Sequence, residues 1–286
     1  MSNKEYIRKH KEDRPVVAIC YDFDKTLSPD DMQAQGFIQS VDYEVSEFWQ
    51  ESNGLAEQND MDQNLAYMFK MMETAEGHVL FTKDTLLKYG AQVRLFPGVE
   101  DWFRRIRDYG EAHGVIVEHY IISSGLKEMI EGTAIASEFE KIYASTFFYN
   151  EKGVPKWPAQ VVNYTNKTQF LFRIEKGVLD INDLGVNDSF PPEDIRVPFR
   201  NMIYIGDSDT DIPCMKLVKQ QGGHSIAVYN PRSRQKRQEM LRLIRDNRVN
   251  YVCPADYGPD KEIDRLVKMI IDKIVVDYQL SKRCKA

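Results

Sequence analysis

With 286 residues, of which 42% are hydrophobic and 29% charged, the chain is long enough for one large domain or for a domain carrying an insertion. No apolar stretch approaches the length of a bilayer span, which excludes a membrane-spanning protein. A net charge of −6, from 38 Lys and Arg against 44 Asp and Glu, gives no reason to expect nucleic acid as a partner.

The first residues, MSNKEYIRKHKEDRP, are charged and lack the apolar centre of a signal peptide, so a cytoplasmic location is expected. The 4 cysteines, at positions 20, 214, 253 and 284, show no C-x-x-C pairing and read as reduced thiols rather than disulfides or a zinc site. Val16 to Tyr21 is a continuous apolar run, the pattern of a parallel strand buried on both faces. It delivers Asp22 and Asp24 into a turn. In open α/β sheets ligands bind at the carboxyl ends of strands, so carboxylates placed there point to a site; the competing reading is a helix N-terminus capped by one of them.

Residues 30–95 break the strand–helix rhythm. Phe37, Val41, Val45 and Phe48, then Leu65, Met68, Phe69 and Met72, recur at helical spacing, which predicts a separate helical insertion. The Met-rich stripe reads as core, or as the lining of a substrate groove, since Met adapts to varied surfaces. Pro97-Gly98 then opens a helix with Val99, Trp102, Phe103 and Ile106 on one face. VIVEHYIISSG, residues 115–125, reads as a second strand with Ser123 at its tip, where a hydroxyl beside a helix start either binds an anion or caps the helix. Residues 141–165 predict a strand and a hairpin turned at Asn150 to Gly153. Lys167 stands ahead of a helix bearing Phe170, Leu171 and Ile174; a lysine by itself is ordinarily solvated.

DINDLGVNDSFPPEDIRVPFR, residues 180–200, predicts a long surface loop with no assigned role. Met202 to Ile205 is another buried strand, turned by Gly206 into Asp207, Asp209 and Asp211. The glycine and bidentate glutamate of a calcium loop are missing, which leaves a solvated acidic turn as the bland alternative. Residues 224–231 and 250–254 supply two further strands. The run 232–248 carries basic residues that either touch phosphates or form the solvated face of an amphipathic helix with Met240, Leu241 and Ile244 at helical spacing, and 261–278 is a periodic closing helix.

Strands ending in Asp22-Asp24, Ser123 and Asp207-Asp211 predict an α/β protein with a Rossmann-like parallel sheet whose strand tips converge. D-x-D-x-T at 22–26, Ser123 at a strand end, Lys167 at a helix start and G-D-x-x-x-D at 206–211 resemble, in order, the four motifs of the haloacid dehalogenase-like superfamily. The match is to its phosphoserine-phosphatase-like members, with a helical cap inserted between motifs one and two. The resemblance covers residues 16–29 and 96–230 and implies a core of 1–29 and 96–286 with a cap of 30–95. It further implies that Asp22 is the nucleophile of a phosphatase, Asp24 the general acid and base, and that Ser123 and Lys167 bind the phosphoryl group.

Three or more carboxylates at one edge repel one another and an incoming phosphate, by about 4 kcal/mol for two unit charges 4 Å apart at an effective dielectric near 20. Oxygen donors without His or Cys favour Mg²⁺ as the cation that resolves this. By the resemblance, Asp22 and Asp207 bind it through side chains, Asp24 through its main-chain carbonyl, and Asp211 directly or through water. The second aspartate argues against a dehalogenase, which has no leaving alkoxide to protonate. The expectation is a phosphomonoesterase acting on a small phosphorylated metabolite, with oligomeric state left open. A mutase-like phosphotransferase and a non-catalytic phosphate-binding or regulatory protein are the alternatives.

Overall fold

The computed structural model describes residues 5–207 and 209–284. In chain order the elements are β1 (Val16–Tyr21), α1 (Phe37–Ser40), α2 (Val45–Gln58), α3 (Gln63–Ala75), α4 (Lys83–Gly90), α5 (Val99–Ala112), β2 (Ile116–Leu126) and α6 (Lys127–Glu131). There follow β3 (Lys141–Tyr149), β4 (Pro155–Gln160), α7 (Lys167–Lys176), β5 (Met202–Gly206), α8 (Ile212–Gln220), β6 (His224–Tyr229), α9 (Arg234–Arg245), β7 (Tyr251–Pro254) and α10 (Glu262–Arg283). The strands form one sheet in the order β4-β3-β2-β1-β5-β6-β7, parallel throughout except for the hairpin pair β3–β4. Pro155 and Pro158 are tolerated in β4 because it is the edge strand and its pairing with β3 is interrupted by register shifts.

β1 lies at the centre, and every one of its residues is buried. Its alternating side chains serve two cores. Val17, Ile19 and Tyr21 join the cluster that includes α5 and α10, while Val16, Ala18 and Cys20 join Phe170, Leu171 and Ile174 of α7 and Cys214, Met215 and Val218 of α8. Burying one such aliphatic side chain is worth about 1.5–3 kcal/mol, which is why a run without alternation marks a strand covered on both faces. From β1 the chain passes to β2 and β3 on one side and later crosses to β5 on the other. The reversal opens a crevice at the carboxyl ends of the central strands.

The helical insertion leaves the sheet after Leu27 and returns at Phe96, whose N–H donates to the Leu27 carbonyl at 2.8 Å. It does not have a core apart from the sheet: Phe37, Phe48, Met68, Met71 and Leu86 belong to the same buried cluster as Val17 and Ile19. The expected inward stripe on α3 is shifted. Tyr67, Met68 and Met71 are buried, Leu65 and Met72 only half so, and Phe69 is 49% exposed. On α9, likewise, Met240 and Leu243 face inward while Leu241 and Ile244 are exposed.

The 180–200 loop lies at the end of the sheet away from the crevice. Arg173 donates to the carbonyls of Asp180, Ile181 and Asp183, and Lys176 to those of Val186 and Asp188, so basic residues at the C-terminal end of α7 order the loop. Its final residues are anchored by Arg196, which grips Glu118 with two hydrogen bonds of 2.7 Å. Burial works against ionisation of Glu118, but hydrogen bonds from Arg196, Tyr120 and Lys9 outweigh it and hold the pKa at about 2. Among the described residues no helix is long and apolar enough to cross a membrane. Cys20, Cys214 and Cys253 are buried free thiols, and Cys284 is an exposed one.

Candidate active site

Strand ends place the candidate side chains of Asp22, Ser123 and Asp207, a turn places Asp24, and helix starts place Lys167 and Asp211. The Asp22 N–H donates to the Ile205 carbonyl at 2.9 Å, extending the β1–β5 ladder by one bond beyond the strand and fixing Asp22 beside the tip of β5. The chain then turns tightly, with the Phe23 carbonyl accepting from Thr26, Leu27 and Ser28 and Lys25 in the left-handed region at φ 58°. That turn sends Asp24 back toward β2. Its Oδ1 accepts the Met32 N–H at 2.8 Å, and its Oδ2 lies against Gly125, where a Cβ would come within 3.0 Å of it.

Ser123 and Gly125 sit where the β2–β3 register slips between Ile122 and Leu126. Ser123 is buried, and its Oγ accepts the Gly125 N–H at 3.1 Å. Lys167 begins α7. The helix start is built by Asn163, whose Oδ1 accepts the N–H groups of Thr165 and Asn166 at 3.0 and 3.1 Å, and by Asn166, which returns a bond to the Asn163 N–H at 2.9 Å. The Lys167 ammonium reaches Asp22 Oδ1 at 3.0 Å and Asp211 Oδ1 at 2.8 Å, 1% exposed and between two buried acids.

Gly206 is required by the closing turn. A Cβ there would sit 2.7 Å from the Asp211 carboxylate, which packs over the bare α-carbon. Asp207 and Asp211 are buried, whereas Asp209, between them, is exposed on a short 3₁₀ turn and takes no part. Thr26 Oγ1 donates to Asp207 Oδ1 at 3.4 Å. Carboxylate oxygens of Asp22, Asp207 and Asp211 lie within 4.8 Å of one another.

Electrostatics separates these acids. Burial pushes Asp22 up to a pKa of about 6; Asp211 adds to the rise and Lys167 opposes it. Burial, then the charges of Asp22 and Asp211, hold Asp207 well above the ordinary range. Asp24 is also held well above it, by burial and then by Asp31 and Asp22, so its neutral form is favoured. For Lys167 burial disfavours the charge, but Asp211 and Asp22 outweigh it and raise the pKa. With the three converging acids ionised, one ammonium leaves a net charge of −2 in a buried space. Hard oxygen donors with that surplus suit a divalent cation of the Mg²⁺ class, and the Asp24 side chain is not among the converging oxygens.

These groups surround a cavity of about 140 Å³ lined by Asp22, Asp24, Ser123, Lys167 and Asp207, with Lys25 and Asp31 at its wall. Lys25 pairs with Asp31 at 2.7 Å, a pairing the sequence reading missed because neither residue carries a spacing signal. A larger surface groove of about 840 Å³ along α2 and α3 contains none of these residues.

The chain shares 25% identity with an uncharacterized protein of Borreliella burgdorferi, over 91% of this chain and 96% of that one. Among solved structures, a haloacid dehalogenase family hydrolase of Salmonella enterica serovar Typhi superposes with a TM-score of 0.56 at 16% identity, covering 91% of this chain and 73% of its own. A phosphoserine phosphatase carrying a phospho-aspartyl intermediate analogue superposes at 0.51 with 13% identity, covering 90% and 99%. The family model of the haloacid dehalogenase-like hydrolases matches residues 19–216, from the middle of β1 through the Asp207–Asp211 turn, and the chain belongs to that family.

Proposed function

We propose that this chain is a Mg²⁺-dependent phosphatase that hydrolyses a small phosphate monoester through an aspartyl-phosphate on Asp22. The observation that carries the reading is the placing of two aspartates two residues apart on one small cavity: Asp22, paired with Lys167 at 3.0 Å, and Asp24, held by the Met32 N–H, with Ser123 and Asp207 lining the same space. Asp22 attacks phosphorus and the ester oxygen departs, taking the proton of Asp24. Asp24, now ionised, then takes a proton from a water that attacks the aspartyl-phosphate, releasing inorganic phosphate and restoring Asp22. Lys167 and Ser123 hold phosphoryl oxygens in place, and Lys167 also restrains the nucleophile. Mg²⁺ held by Asp22, Asp207 and Asp211, with the main-chain carbonyl of Asp24, would neutralise phosphoryl charge. The solved phosphoserine phosphatase with a phospho-aspartyl analogue, alike in fold, supports the covalent route.

The cavity is small beside the roughly 300–1,000 Å³ usual for ligand pockets, which favours a compact substrate. Helices within residues 30–95 act as the cap in this reading, and the buried free thiols favour a reducing, cytoplasmic setting. The test is phosphate release from a panel of small esters with and without Mg²⁺. Mg²⁺-dependent turnover should be abolished in Asp22→Asn and strongly reduced in Asp24→Asn; a panel on which the folded, Mg²⁺-supplied protein releases no phosphate overturns the reading.

A further inference from the structure

Asp211 Oδ1 accepts two hydrogen bonds, from the Lys167 ammonium and from the Tyr204 hydroxyl, each 2.8 Å long. Tyr204 lies on β5, paired with Cys20 of β1 and Ser225 of β6, and its ring is buried in the apolar cluster beneath α7 and α8. We propose that Tyr204 is a positioning residue of the phosphatase centre: its hydroxyl and Lys167 clamp Asp211 Oδ1, which sets the rotation of that carboxylate and, through Lys167, the ammonium's place against Asp22. The inference rests on the phosphatase reading of the same site.

Packing alone does not ask for a tyrosine. Phenylalanine would fill the same buried position on β5, and the phenol oxygen would otherwise need a partner in a cluster of aliphatic and aromatic groups. The terminal torsion of an aspartate is broad, so each donor adds to what fixes the carboxylate's rotation. Here Tyr204 and Lys167 approach the same oxygen from two elements, and the Gly206 α-carbon closes a third side, since a Cβ there would meet both Asp211 Cγ and Oδ2 at 2.7 Å. A continuous chain of contacts then runs from Tyr204 through Asp211 and Lys167 to Asp22 Oδ1, the last step 3.0 Å.

Tyr204→Phe removes the hydroxyl and keeps the ring. Three quantities are read on the full chain: the dissociation constant for Mg²⁺ alone by calorimetry without substrate, kcat and KM on the best ester of the panel, and the melting temperature. The expected result is Mg²⁺ affinity weaker by about tenfold and kcat lower by about tenfold or more, with KM changed by less than about twofold, as when an outer partner of a ligating carboxylate is lost. Folded Tyr204→Phe with both Mg²⁺ affinity and kcat within about twofold of the native protein overturns the proposal, because a merely structural role moves the melting temperature and leaves those two alone. Should Tyr204→Phe not fold, Tyr204→Met, with a flexible apolar chain, is read in the same way. Failure of both to fold assigns the hydroxyl to stability and also overturns it. A native protein that neither binds Mg²⁺ nor releases phosphate defeats the phosphatase reading itself. One that does both while Tyr204→Phe is unchanged defeats only this inference.

Discussion

Asp207 shows what the site costs the fold. Its carboxyl is pushed up by burial and by the charges of Asp22 and Asp211, so its ionised form is disfavoured in the native state relative to the unfolded chain. A carboxyl raised in this way subtracts stability once the pH passes its unfolded value near 4, and the loss grows as pH rises toward the folded value. Asp207→Asn is therefore expected to stabilise the metal-free protein by about 1–3 kcal/mol at pH 8 and by less at pH 5. On the proposed metal reading, Mg²⁺ should raise the melting temperature of the native protein and not that of the variant. Thermal unfolding at the two pH values, with and without Mg²⁺, checks both. Most of this was legible from residues alone, because Asp22, Asp24, Asp207 and Asp211 follow apolar runs and their spacing is informative. Tyr204 was not, since a tyrosine inside MIYIG reads as core, and only the fold brings its hydroxyl to Asp211.

Among the elements, strands were easier to read than helices. Val16–Tyr21 and Met202–Gly206 are buried on both faces, so composition alone announces them. In α3 the apolar residues wrap around more than one face, and periodicity placed Phe69 inward where the structure exposes it. What decides the matter is docking. Tyr67 donates to the Ser124 carbonyl at 2.7 Å and Asn64 to the Val162 carbonyl at 3.1 Å, which turn one side of α3 toward β2 and the hairpin. If the insertion is a cap, these bonds hold it down. Tyr67→Phe should lower the free energy of local opening by about 1 kcal/mol and speed amide exchange across α2 and α3 by roughly fivefold, leaving α5 unchanged. Equal acceleration in α5 would mean that the insertion opens only with the whole domain.

At the scale of the molecule, the two ends of the sheet have divided their tasks. Charges at the carboxyl end are left mutually repelling, while Arg196 and Glu118 near the amino end are fully matched at 2.7 Å. Arg196→Leu should destabilise the fold by about 3–5 kcal/mol, because Glu118 is left buried without its main partner. Glu118 has a folded pKa of about 2, below its unfolded value of 4.5, so its stabilising contribution is present above the unfolded value and lost as pH falls toward 2. The gap between native and variant should accordingly narrow below about pH 4.5, as urea midpoints across that range would show. Turnover by the folded variant should stay at the native level, since Arg196 lies at the other end of the strands. The 180–200 loop, legible only as a loop, is part of this support: its prolines and aspartates carry no periodic signal, and its order comes from carbonyls bound by Arg173 and Lys176 at the end of the preceding helix.

The ammonium of Lys167 meets a carboxylate 145 positions earlier in the chain, and Thr26 meets Asp207 across 181 positions. No contiguous fragment shorter than that span holds the whole candidate site, and closing such long loops is among the slower events of folding. During synthesis Asp22 and Asp24 are therefore made early and Lys167, Asp207 and Asp211 late. A half-finished copy carries Asp22, Asp24 and Ser123 but lacks Lys167, Asp207 and Asp211, and the candidate site is assembled only once β5 has paired beside β1.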